Sequence, residues 1–281
     1  MLIDTHSHIY DSAFDPDREE AIEAAKAAGV TALLMPAIDS QSHSAMLDTA
    51  RRHEGYCLPM IGLHPTSVND NPDYSQELSL VEHYLASPPM RFYAVGEVGL
   101  DLYWDQRWER EQMDVLRRQI ELSLKYDLPL VIHTRQAMPQ MCEVLSEFCG
   151  RGMRGVMHAF SGTEEDYERI RSYGDFLFGI GGTVTYKKGG SAPLVASLPL
   201  GDIVLETDCP YLPPVPFRGK RNQSAYVSYV CEAVASIKNT SFDEVAAVTS
   251  ASAKRMFGLE NLGLSISAAL SHTGRSEYRP A

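Results

Sequence analysis

Short apolar runs alternate with longer amphipathic stretches along most of the chain. The runs lie at residues 2–5, 31–36, 57–63, 92–98, 130–133, 155–159, 176–181 and 203–207. Their apolar residues are consecutive rather than alternating, the pattern of strands covered on both faces. Between them, apolar positions recur at helical spacing over 18–28, 75–86, 108–126, 138–148 and 164–173, and two further helices are predicted at 222–237 and 242–257. Asp15-Pro16-Asp17 before the first helix and Gly29 after it are a capped start and a glycine stop. Thr240-Ser241 and Gly258 bracket the last helix in the same way.

A strand repeatedly followed by a helix predicts a parallel sheet, because parallel neighbours need a crossover connection. The fold class expected is α/β: a (β/α)8 TIM barrel, one domain over residues 1–262, with a C-terminal tail at 263–281 that carries no strong pattern. A length of 281 residues suits a single barrel. The competing architecture is an open doubly wound sheet. It is disfavoured because no Gly-rich phosphate loop follows the first strand.

Composition narrows the function. The net charge of −12 argues against a broad basic groove for duplex binding, which needs clustered Lys and Arg. It leaves room for a site that grips one or two phosphates. The five cysteines, Cys57, Cys142, Cys149, Cys209 and Cys231, are scattered and form no CxxC pair, which fits a reducing compartment. The N-terminus has no basic region leading into an apolar one, and no apolar run approaches the roughly 18 residues of a membrane span. The expected setting is cytoplasmic, with no membrane association.

The chemistry is positional, since the apolar runs repeatedly end in metal-ligand residue types. The first leads into Asp4-Thr5-His6-Ser7-His8, the fourth contains Glu97, the fifth ends at His133, the sixth reaches His158 and the eighth leads to Asp208. Residues two apart in an extended chain face the same way, so His6 and His8 can reach one ion. In a barrel all C-terminal strand ends meet on one face, where active sites lie. One strand-end histidine is most often structural; four, with Glu97 and Asp208, point to a mixed N/O metal site suited to Zn²⁺, Mn²⁺ or a similar ion. Six ligands exceed the needs of one tetrahedral ion. Two divalent ions are therefore expected, with Glu97 as a bridge.

His64 ends the third run and faces the same mouth, as a substrate contact or a structural residue. Arg135, two residues beyond His133, and the loop cations Arg218, Lys220 and Arg221 are candidate phosphate contacts, because the arginine fork binds oxygens bidentately. Tyr103, Trp104 and Trp108 after the fourth run either stack on a base or pack their loop against a helix. Cys209 is expected to be a buried structural thiol rather than a ligand. His43, His53, His83 and His272 receive no role.

These motifs resemble the TatD family of metal-dependent deoxyribonucleases, within the amidohydrolase-like barrels. The resemblance runs from residue 2 to about 262. It rests on Ile3-Asp4-Thr5-His6-Ser7-His8, Gly62-Leu63-His64-Pro65, Gly96-Glu97-Val98-Gly99-Leu100-Asp101, Ile132-His133-Thr134-Arg135, His158-Ala159-Phe160-Ser161-Gly162 and Glu206-Thr207-Asp208. The stretch Arg218-Gly219-Lys220-Arg221-Asn222 adds to it. It implies a TIM barrel, divalent metal ions (Mg²⁺, Mn²⁺ or Zn²⁺) and 3′–5′ exonucleolytic hydrolysis of DNA, with single-stranded ends as partner. By position it assigns the metal to His6, His8, Glu97, His133, His158 and Asp208. Catalysis is expected from Asp208, as the base accepting a proton from water, together with Glu97.

The chain departs from the family pattern at Phe217, where many members have His, and at Gln223-Ser224, where they have Glu-Pro. Both changes lie in the loop after the eighth strand, so they bear on substrate preference and not on the metal residues. The rival readings are a deacylase of D-aminoacyl-tRNA or another ester or amide hydrolase on the same metals, and a non-catalytic metal-binding scaffold. The cationic cluster argues against a neutral substrate, and the complete ligand set argues against the scaffold.

Overall fold

Eight parallel strands form two sheets that close on each other. The computed structural model describes residues 1–188 and 190–260; the tail expected at 263–281 and the domain boundary at 262 lie outside the described residues. The strands are β1 Leu2–Asp4, β2 Val30–Met35, β3 Cys57–Pro59, β4 Val95–Asp101, β5 Leu130–Arg135, β6 Arg154–Met157, β7 Asp175–Ile180 and β8 Ile203–Leu205. The first three pair in the order β1-β2-β3 and the remaining five in the order β4-β5-β6-β7-β8, all parallel. Two seams complete the ring. Ile61 bridges Val95 between β3 and β4, and Ser7 bridges Cys209 just beyond β1 and β8. The fold is the TIM barrel expected from the alternation.

Two apolar layers hold it. One side chain from each part of the ring points inward: Ile3, Ala32, Leu58, Ala94, Val131, Val156, Leu177 and Val204. This layer is plugged by Ala253, Met256 and Phe257 from the end of the last helix. A larger layer, including Phe14, Leu116, Ile120, Val144, Phe176 and Val230, fills the space between the strands and the outer helices. Strand residues are buried on both faces because the barrel has a packed inside and a helix-covered outside. That is why the runs read as continuous rather than alternating.

The helices are α1 Arg18–Ala27, α2 Ser40–Arg52, α3 Tyr74–Ala86, α4 Glu109–Tyr126, α5 Met138–Glu147, α6 Glu164–Tyr173, α7 Ala192–Ser197, α8 Val227–Lys238 and α9 Phe242–Phe257. Two of them, α2 and α7, escape the sequence pattern. In α2 the buried apolar residues are only Met46, Leu47 and Ala50, set among Ser, Gln, His and Thr, so the stripe is thin; Asp39 and Ser42 cap it reciprocally. With only six residues, α7 is too short to show a period. Helix α8 begins five residues later than the pattern suggests. Asn222 is buried and its side-chain amide donates to the carbonyls of Thr207, at 2.8 Å, and Tyr211, at 2.6 Å, which holds it in the loop beyond β8. No described helix is long and apolar enough to cross a membrane.

Candidate metal centre

The inward-facing layer continues at the C-terminal mouth of the barrel, with polar residues in place of apolar ones. Val131 and Val156 point inward, and two residues further along the same strand faces stand His133 and His158. Val204 likewise leads to Glu206. On β4 the register shifts between Gly96 and Val98, and this irregularity delivers Glu97 to the mouth. Asp208 reaches it through a left-handed backbone, with φ of 56°, beyond the end of β8. A non-glycine residue held there is strained by roughly 1–3 kcal/mol and persists only where surrounding contacts impose it. Here the Asp208 amide donates to the His6 carbonyl at 2.9 Å, and Asp4 accepts from the backbone and hydroxyl of the adjacent Thr207 at 2.9 and 2.6 Å.

Six of the sequence-selected residues converge. His6 Nε2 lies 3.2 Å from His8 Nε2 and 3.2 Å from Glu97 Oε2. Asp208 Oδ1 lies 3.5 Å from His8 Nε2 and 3.9 Å from His6 Nε2. The other Glu97 oxygen faces a second group: Oε1 is 3.0 Å from His133 Nδ1 and 4.0 Å from His158 Nε2. The other Asp208 oxygen, Oδ2, is 3.8 Å from His158 Nε2. Glu97 thus turns one oxygen to the His6–His8 side and one to the His133–His158 side.

The donor set fits a divalent cation, and the partners on the outer side of the rings strengthen the fit. The Tyr10 hydroxyl donates to the Pro36 carbonyl at 2.6 Å, so at 3.0 Å it accepts from His8 Nδ1. That places the His8 proton on Nδ1 and leaves Nε2 bare toward the cluster. Asp101 Oδ2 holds His133 Nε2 at 3.0 Å, and Glu206 Oε1 lies 3.0 Å from His158 Nδ1. Imidazoles oriented by a carboxylate or hydroxyl on the nitrogen turned away from an ion are the usual support of metal-ligating histidines. Asp101 and Glu206 carry no role in the sequence reading. Their signal is their spacing: Glu206 is two residues past the inward-facing Val204 and Asp101 lies four past Glu97.

His64 is near the cluster and is not equivalent to these rings. Its Nε2 lies 3.5 Å from Glu97 Oε1, and the ring meets His133 edge-on at 4.7 Å. However, Nδ1 accepts the backbone N–H of Thr66 at 3.2 Å, so the proton sits on Nε2. His64 is therefore a hydrogen-bond donor into the mouth, and burial pushes its pKa down, keeping it neutral.

The loop cations divide. Arg135 is exposed, with Cζ 3.7 Å from the Tyr103 ring centroid. Arg218 lies over Tyr186 at 4.4 Å, and Lys220 is exposed. The structure does not bring Arg221 to the cluster. Its two terminal nitrogens grip Asp17 at 2.7 and 2.6 Å, and it lies over Phe14, which fastens the loop beyond β8 to the start of α1. Cys209 is fully buried against Ser7 and Ser224 and faces away from the cluster, as its position next to Asp208 implies.

Burial and neighbouring charge set the protonation states. For His133, burial opposes the charged form, yet Asp101 and Glu97 outweigh it and push the pKa up to about 9. For His158, burial is outweighed by Glu206 and Asp208, and the pKa is pushed up to about 10. Burial would raise Glu97 and Asp208, but the surrounding histidines hold both below the usual carboxylate range. An imidazole must be neutral to bind a metal. Both histidines titrate above the ordinary 6.5, so at neutral pH they hold protons that a metal must displace. Metal affinity is therefore expected to climb with pH through the neutral range and level off near pH 9 to 10, with protons released on binding. The same two protons stabilise the metal-free fold fully below about pH 6.5, and that contribution is lost as pH rises through 9 to 10. Calorimetric titration with Mn²⁺ in buffers of different ionisation enthalpy checks this. An affinity independent of pH, with no proton release, contradicts it.

Comparison with known proteins places these observations in a family. Residues 3–258 match the family model described as TatD related DNase. An uncharacterized metal-dependent hydrolase of Bacillus subtilis, YabD, is 34% identical over 92% of this chain and 99% of its own. The 3′-5′ ssDNA/RNA exonuclease TatD of Erwinia tasmaniensis is 28% identical over 92% of this chain and all of its own. The crystal structure of YjjV, a TatD homologue from Escherichia coli, superimposes with a TM-score of 0.84 at 29% identity, covering 92% of this chain and 98% of the other. With barrel, strand-end cluster and near full-length similarity in agreement, this chain belongs to the TatD-related DNase family of metal-dependent hydrolases.

Proposed function

We propose that the chain is a 3′–5′ exonuclease acting on single-stranded DNA ends, with two divalent ions (Mg²⁺, Mn²⁺ or Zn²⁺) at the barrel mouth. The observation that carries this reading is the division of Glu97, one oxygen facing His6 and the other His133. His6 and His8 would hold one ion and His133 and His158 the other, with Glu97 between them and Asp208 reaching both sides. The Erwinia relative named as an exonuclease supports the substrate class.

When bound, the ions supply an activated water and neutralise charge on the scissile phosphoryl group. The chain's own residues do the rest. Asp208 is ionised, and its side chain is 16% exposed against 4% for Glu97, so it is the carboxylate open to a reacting water. It accepts the water's proton at a carboxylate oxygen. Asp101 keeps His133 pointed into the mouth by a hydrogen bond, and Glu206 stands beside His158 as its counter-charge while accepting from the Ala159 amide. His64 donates from Nε2 toward a phosphate oxygen. Arg135, with no carboxylate within ion-pair distance among the described residues, binds a phosphate of the strand, and Arg218 and Lys220 meet the strand from the opposite loop. Arg221 is left out of this set because Asp17 already neutralises it.

The test is cleavage of 3′-labelled and 5′-labelled single-stranded oligonucleotides with Mg²⁺, Mn²⁺ or Zn²⁺, and with EDTA. Metal-dependent release of nucleotides from the 3′ end is the expected result. Bound metal without cleavage would remove DNA as substrate and direct the search to D-aminoacyl-tRNA and other esters.

A further inference from the structure

Large hydrophobic side chains exposed on this protein concentrate around the mouth. Of the six that stand out among the described residues, Met1 is at the chain start. The other five, Tyr103, Trp104, Tyr211, Leu212 and Val215, lie on the loops following β4 and β8. Trp104 is the most open of these, at 68%. The choice posed by the sequence, stacking against packing, therefore resolves for Trp104: its ring is not packed under a helix. Tyr103 supports it edge-on at 4.8 Å, and the Arg135 guanidinium sits by both rings, 3.7 Å from Tyr103 and 5.4 Å from Trp104.

This group is mechanically joined to the metal cluster. The Tyr103 amide donates to Asp101 Oδ1 at 3.0 Å, while Asp101 Oδ2 holds His133 at 3.0 Å. Asp101 and Arg135 are direct partners in the β4–β5 pairing, and the Leu102 amide donates to the Arg135 carbonyl at 3.0 Å. One carboxylate therefore sets both a candidate metal ligand and the base of the aromatic step. An open indole beside a cation, in a chain of net charge −12, matches a ligand that combines a flat apolar face with an anionic backbone.

We infer that Tyr103, Trp104 and Arg135 form a nucleobase subsite, on which the base next to the scissile phosphate stacks against Trp104 while Arg135 meets the adjoining phosphate. The inference rests on the nuclease reading above for the identity of the strand. Stacking on an aromatic ring tolerates any base, and a base behind the terminal pair of a duplex has both faces covered by its neighbours, so it reaches the ring only when unpaired. The subsite thereby selects single strands without selecting sequence.

The experiment measures KM and kcat for a 3′-labelled single-stranded oligonucleotide and for the same strand annealed to its complement. It uses the native protein, Trp104→Ala and Trp104→Phe. In parallel, tryptophan emission is titrated with oligothymidylate in EDTA. Loss of one stacked base corresponds to about 5- to 140-fold in affinity. Trp104→Ala is expected to raise KM for the single strand by that factor, with most of the loss in KM rather than kcat, and Trp104→Phe to recover most of it. Oligothymidylate should quench emission of the native protein and not of Trp104→Phe, which retains only Trp108. Cleavage by the native protein with KM of Trp104→Ala within twofold, and no quenching, overturns the subsite alone. If the native protein cleaves no strand, the nuclease reading fails, and the titration still decides the subsite: quenching upholds it and its absence overturns it.

Discussion

Glu97→Ala is expected to abolish metal-dependent hydrolysis, lowering kcat/KM by at least about 1,000-fold, while the barrel still folds. Glu97 makes the shortest carboxylate contacts with both histidine groups, 3.2 Å to His6 and 3.0 Å to His133, where Asp208 comes no nearer than 3.5 Å to either. Its loss removes a shared ligand, so metal affinity should fall by more than the ~10–100-fold typical of losing an outer partner. The fold tolerates the change because the inward apolar layer lies below the cluster and contains no part of Glu97. The metal-free variant should also show a lower pKa for His133, since one of the two carboxylates that raise it has gone. Metal content, circular dichroism and the oligonucleotide assay together check this. A folded variant that keeps its metals and its rate would dismantle the two-sided site.

Asp208→Asn separates proton acceptance from metal retention. The amide keeps the shape and one oxygen, so the metals should stay bound more firmly than in Glu97→Ala. The variant cannot accept a proton, and a positioned general base typically contributes about 10²–10⁴ in rate. The drop is expected in kcat, with KM little moved, because the loss falls on the transition state and not on strand binding. Burial opposes ionisation of Asp208, and His158, His8 and His6 overcome it, so the native carboxylate is ionised at neutral pH. Retention of kcat within tenfold, with metal bound, would move the base to another residue.

Closure of the ring was decided by the Ile61–Val95 and Ser7–Cys209 bridges. The alternation of apolar runs and amphipathic stretches determined the parallel, helix-covered sheet, because its strands are buried on both faces and each needs a crossover helix. It also located the six converging residues: a ligand-type residue at the end of a buried strand must reach the common mouth, whatever its distance in sequence. The outer layer of the site was decided elsewhere. Sequence spacing put Glu206 and Asp208 on one side of the chain, and the left-handed turn at Asp208 settles that Asp208 meets the cluster while Glu206 backs His158. The hydrogen bond from Thr66 fixes which nitrogen of His64 carries its proton, and no pattern in the sequence contains that. Arg221 and Asp17, 204 positions apart, pair only because the loop beyond β8 folds over the start of α1. Trp104 stands in solvent on the loop after β4, where the sequence left both stacking and packing open. Periodicity records which way a residue faces along its own element. Which nitrogen, which carboxylate and which cation remain available depends on contacts between elements, and these exist only in the closed barrel.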